Sequence, residues 1–135
     1  MYDNDMYRTF KDRKVRYNSI FTFKKQNKDY LVPFNRANFV WCYSDSFSLT
    51  FNIDDPDSEL DNLPEDTIAH ITFYDFRFEN LYELEQQWKN PVIVDIDKET
   101  SLLFKRGIYY CSIILKYDEK NITVIPSENC IIEVI

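Results

Sequence analysis

The sequence predicts an all-β domain, an antiparallel β-sandwich with one short helix, and three observations predict it. Apolar and polar residues alternate with period two along most of the chain, the pattern of half-buried strands. Turn-forming segments divide these runs into about eight or nine strands at roughly ten-residue spacing, as in a sandwich. The 135 residues, 44% apolar and 17% aromatic, suit a single core-forming domain rather than a disordered chain. Residues 1–16 are expected to form a basic N-terminal arm carrying Arg8, Lys11, Arg13, Lys14 and Arg16, and residues 17–135 the sandwich.

Taken in order, SIFTFKK and YLVPF flank the polar turn Gln26-Asn27-Lys28-Asp29 and predict a hairpin. Pro33 places its second strand at an edge, because proline cannot donate to a ladder. In ANFVWCYS, Phe39, Trp41 and Tyr43 fall on one face and Val40 and Cys42 on the other. With both faces apolar, a central strand is expected. FSLTFNID alternates cleanly, with Phe47, Leu49, Phe51 and Ile53 on the core side.

The acidic stretch IDDPDSELDNLPED, residues 53–66, reads as a loop broken by Pro56 and Pro64, and TIAHITFYDFRF as the next strand. In FENLYELEQQWKN, Leu81, Leu84 and Trp88 recur at three- and four-residue spacing and predict the short helix. PVIVDID is a strand opened by Pro91. DKETSLLFK is a turn or single helical turn capped by Asp97, with Thr100 three positions on, and Leu102, Leu103 and Phe104 expected to dock on the sheet.

The only glycine, Gly107, precedes a long strand with Tyr109, Cys111, Ile113, Leu115 and Tyr117 on one face. It is expected where no side chain is tolerated. Asp118-Glu119-Lys120-Asn121 turns the chain into ITVIP, and CIIEVI closes the domain with Cys130, Ile132 and Val134 inward. The last three strands are expected to be consecutive antiparallel neighbours.

A formal charge of −7 argues against nucleic acid, which needs a basic surface. The basic arm and the acidic loop, with Asp54, Asp55 and Asp57, could meet across an interface between copies. The longest apolar run, IYYCSIIL, is far shorter than the roughly 20 residues of a bilayer-spanning helix, so no membrane partner is expected. Three scattered cysteines and a first segment without an apolar run point to synthesis in a reducing cytoplasm.

The parts of a catalytic site are hard to find. His70 is the only histidine, and it sits in the alternating strand IAHITF with no cysteine or serine elbow to activate, so a half-buried structural histidine is expected. Cys42, Cys111 and Cys130 lack metal-binding spacing and read as core or near-core thiols. The acidic loop lacks the glycine and ligand spacing of a calcium loop and reads as solvated. One glycine cannot build a phosphate cradle. No cofactor, metal or small-molecule substrate is expected. Tyr82, Trp88 and Tyr110 are candidates for exposed aromatics, as a protein interface or a sugar platform.

Residues 92–135 carry a more particular order of features: a strand, a helical turn, Gly107-Ile108-Tyr109-Tyr110 leading to Ile113 and Leu115, an acidic hairpin at Asp118, then Thr123-Val124 and a final Ile132, Val134 strand. This order resembles the small immunoglobulin-like β-sandwich proteins of tailed-bacteriophage virions, such as the N-terminal domains of baseplate upper proteins. The long acidic loop and the glycine-free hairpin depart from that pattern.

The resemblance implies an immunoglobulin-like fold and a non-enzymatic accessory component of a capsid, neck or tail. Such a protein is made in the host cytoplasm and held in the virion, in multiple copies, by other virion proteins. It also implies that Gly107 lets the chain turn into the long strand while Tyr109 covers the end of the core. The alternative, from the aromatic surplus, is a carbohydrate-binding domain for host recognition.

Overall fold

The computed structural model describes residues 15–26, 30–33, 37–56 and 58–135. They form ten strands, β1 (Val15–Gln26), β2 (Tyr30–Pro33), β3 (Ala37–Trp41), β4 (Phe47–Asp54), β5 (Ile68–Tyr74), β6 (Asn80–Gln87), β7 (Val92–Ile96), β8 (Gly107–Tyr117), β9 (Lys120–Ile125) and β10 (Cys130–Val134). One α-helical turn, α1 (Lys98–Ser101), follows β7, and a single 3-10 turn, Ser127–Asn129, leads into β10. The strands make two sheets, one ordered β2-β1-β4-β7 and the other β3-β10-β8-β5-β6 with β9 also on β8. The all-β class is as expected.

Arg8, Lys11, Arg13, Lys14 and Asp57 lie outside the described residues. β1 begins at Val15, two residues before the boundary expected at 17, and its Arg16 stands opposite Ser48.

Inward side chains of both sheets meet in one core. Trp41 of one sheet stacks on Phe47 of the other at 3.7 Å, and Phe39 meets Phe51 edge-on at 5.5 Å. Phe104 plugs one end, with its ring edge-on to Trp41, Phe73 and Tyr109. Fully burying one such ring is worth about 1.5–3 kcal/mol.

Several expectations are corrected. The segment read as a helix, Asn80–Gln87, is strand β6, paired antiparallel with β5. Tyr82, Leu84 and Gln86 are half-buried while Glu83, Glu85 and Gln87 are exposed. That period of two competes with the helical spacing of Leu81, Leu84 and Trp88, and pairing along β5 decides it.

The sheets are not wholly antiparallel, because β1 pairs parallel with β4 and β3 parallel with β10. Both connections cross between sheets, which leaves room for parallel neighbours. β3 is an edge strand, not a central one, so Val40 and Cys42 face outward and only Cys111 and Cys130 are buried. β9 and β10 do not pair with each other. They share one edge of β8, β10 along Gly107–Tyr110 and β9 along Ile113–Tyr117.

Strand β5 sets the long axis. It leaves the acidic loop at Ile68, opposite Lys116, and reaches the β5–β6 tip at Tyr74, opposite Tyr110. Seven extended residues span roughly 20 Å, so the acidic loop and this tip lie at opposite ends of the sheet. The β8–β9 turn shares the acidic end, whereas Gly107, α1 and the segment that follows it share the other.

Candidate interaction surface

Two loops build the end opposite the acidic one. In the β5–β6 tip, the Asp75 carboxylate accepts hydrogen bonds from the backbone N–H of Arg77 at 2.8 Å and of Glu79 at 3.0 Å, and Phe78 N–H donates to the Asp75 carbonyl at 2.9 Å. A short polar side chain that satisfies nearby amides is what fixes such a turn. The turn leaves Phe76 64% exposed. It holds Phe78 at φ 60° and lays its ring flat on Tyr110, with centroids 4.1 Å apart and planes 17° apart.

The second loop starts at α1. Asp97 caps it as expected, its carboxylate accepting from Thr100 N–H at 2.7 Å. Ser101 and Phe104 are buried three residues apart. On one tight turn, with Leu103 N–H on the Thr100 carbonyl and Phe104 N–H on that of Ser101, this turns the two residues between them outward. Leu102 and Leu103 are accordingly 42% and 48% exposed, where docking on the sheet was expected.

Tyr109 joins the two loops. Its hydroxyl donates to the Lys105 carbonyl at 2.6 Å, its ring packs on Phe104, and its phenol is pushed above its usual pKa, by burial first and also by the charge of Asp75. Lys105 and Arg106 reach over the ring of Tyr43, at 5.8 and 5.1 Å from its centroid. Gly107 has φ +149°, and a Cβ built there would meet nothing within 4 Å. Backbone conformation, not lack of space, is therefore what calls for glycine.

Among the described residues, all the exposed large apolar side chains except Ile20 and Ile93 lie at or beside this end. Gly107, Tyr109 and Tyr110 are expected at this end from the sequence, whereas the exposure of Phe76, Phe78, Leu102 and Leu103 is not. The signal for the last two was the inward pair Ser101 and Phe104 around them.

The other sequence-predicted residues do not gather into one site. Asp54 is exposed at the acidic end, and Asp55 turns inward on its own loop, accepting from Glu59 N–H at 3.0 Å and Leu60 N–H at 2.7 Å. Tyr82 and Trp88 are half-buried and pack against the core.

His70 occupies the outer face of the β5–β6 pair. Its Nδ1 lies 2.8 Å from Glu85 and its Nε2 3.0 Å from Glu83, and Lys116 stands 3.9 Å from Glu85. Glu83 is held below the usual carboxylate pKa by hydrogen bonds from Asn80 and then His70. The two carboxylates meet opposite edges of the ring and do not converge. Among the described residues no group of His, Cys, Asp and Glu side chains is placed to hold a metal.

Cys111 is fully buried beside Cys130, and burial pushes its thiol well above the usual pKa, the reverse of a reactive thiolate. No helix among the described residues is long and apolar enough to cross a membrane. No protein-family model matches the chain, and no curated protein matches it.

Proposed function

We propose that this protein is a non-enzymatic structural component of a tailed-bacteriophage virion, an immunoglobulin-like accessory protein of the capsid, neck or tail that docks on other virion proteins. The observation that supports a role in assembly is the concentration of exposed apolar side chains at one end, around Phe76, Phe78, Leu102 and Leu103. Exposed apolar groups gathered in one patch mark interaction surfaces, whereas scattered ones do not. The phage assignment rests on the resemblance of the Gly107–Val134 segment.

The carbohydrate-binding alternative has less support. Tyr82 and Trp88 are half-buried against the core, and one face of Tyr110 is covered by Phe78. A sugar platform needs open ring faces.

The deciding experiment is quantitative mass spectrometry of purified particles of the virus that encodes the chain. A copy number near that of the shell protein assigns it to the capsid, and a much smaller one to the neck or tail. Absence from the particles refutes the proposal.

A further inference from the structure

Resting on the reading of the apolar end as an interface, we infer that its occupant is a second copy of this chain, bound through the same end in a two-fold, tip-to-tip dimer. The area comes first. Phe76 is 64%, Phe78 49% and Leu103 48% exposed, with Leu102 and Ile108 beside them at 42% and 39%. With the phenylalanines carrying roughly 150–250 Å² each and the aliphatic side chains somewhat less, this end offers on the order of 450 Å² of apolar surface. A standard interface takes about 800 Å² per partner, so these side chains supply more than half of one side before any rim is counted.

Charge then selects the partner. Exposed Arg77, Lys105 and Arg106 share this end with exposed Glu79, Asp97 and Glu99. Both signs occur together, so a two-fold axis sets cations of one copy against carboxylates of the other while the apolar centres meet. An anionic lipid surface calls for a mainly basic rim, and this one is mixed.

A head-to-tail arrangement is unsuitable for a different reason. The acidic end exposes Asp54, Glu59, Asp61, Glu65 and Asp66, and none of the exposed large apolar side chains among the described residues lies there. Among the described residues it offers no large exposed apolar side chain to cover the patch. The patch itself does.

The test is light scattering of the purified full chain on a sizing column, over a range of concentrations. The expected mass is twice the 16.4 kDa of one chain. It should fall to a single chain in the Phe76→Asp/Leu103→Asp double variant and stay doubled in Ile93→Asp, whose exposed side chain lies away from this end. Circular dichroism checks that each variant is folded, and Leu102→Asp replaces the double variant if that one is not.

A wild-type monomer at every concentration overturns the inference, and so does a dimer that survives in the folded variants. Wild-type monomer that sediments with vesicles of anionic phospholipid overturns it in favour of a lipid surface. A monomer still found in purified particles would leave the virion reading standing, so the two proposals fail separately.

Discussion

Phe78 lies flat on Tyr110, one ring from the tip of a hairpin and the other from the long strand β8, so the loop is held against the sheet by an aromatic stack. The contact keeps an exposed loop in register with its neighbour. A double-mutant cycle with Phe78→Ala and Tyr110→Ala should give a coupling of about 0.5–1.5 kcal/mol in urea unfolding. A coupling near zero would mean that the stack is incidental.

Tyr109→Phe removes a hydroxyl that donates to the Lys105 carbonyl and leaves the ring on Phe104. Stability should fall by about 1 kcal/mol, the net worth of a typical internal hydrogen bond. Hydrogen exchange should rise in residues 102–106, the segment that this bond ties down. Unchanged exchange there would show that the hydroxyl is dispensable.

Gly107→Ala tests backbone against space. Nothing lies within 4 Å of the added Cβ, yet φ +149° is a conformation that L side chains rarely adopt. The cost should be about 1–3 kcal/mol, read as a lower denaturant midpoint with an unchanged slope. A neutral substitution would show that the backbone relaxes freely there.

The β8–β9 turn offers the opposite change. Asp118 and Glu119 both have positive φ, 46° and 60°, between the paired residues Tyr117 and Lys120. Two-residue hairpin loops with both φ positive favour glycine at the second position. Glu119→Gly should therefore stabilise the protein by about 0.5–1 kcal/mol, seen as a higher Tm, because the relieved strain exceeds the added entropy of the unfolded chain. A lower Tm would contradict this.

Glu83 gives the protein an acid-sensitive contact. Hydrogen bonds from Asn80 and His70 lower its folded pKa, so the unfolded chain takes up its proton first as pH falls. Its contribution is complete above the unfolded pKa and is lost as pH falls through the folded one. Glu83→Gln should make the acid limb of the stability profile shallower. A limb of unchanged slope would show that other carboxylates control acid unfolding.

The legible parts of this fold were those in which one pattern had no rival. FSLTFNID alternates without exception and became β4 with Phe47, Leu49, Phe51 and Ile53 buried. Asp97 and Thr100 announced a capped turn, and one formed. Leu81, Leu84 and Trp88 fit a helix as readily as Tyr82, Leu84 and Gln86 fit a strand, and only the partner β5, distant in sequence, decides between them.

The apolar end was hidden for a similar reason. Whether Leu102 and Leu103 face in or out depends on the phase of one turn, which is set by Ser101 and Phe104 in a core assembled from both sheets. Phe76 and Phe78 read as continuing the strand alternation of ITFYDF, and Asp75 ends it by gathering the loop amides.

The parallel pairing of β3 with β10 also bears on how the chain reaches this structure during synthesis. Ala37 stands opposite Cys130 and Trp41 opposite Val134, and β10 is the only strand in β3's ladder among the described residues. On the ribosome, therefore, β3 emerges long before its partner exists. Closing so large a loop is slow, and the interval leaves an unpaired strand carrying Phe39 and Trp41 open to the wrong neighbours. β1, β2 and β4 can pair among themselves earlier, but β3 takes its native place only after Cys130–Val134 has been made.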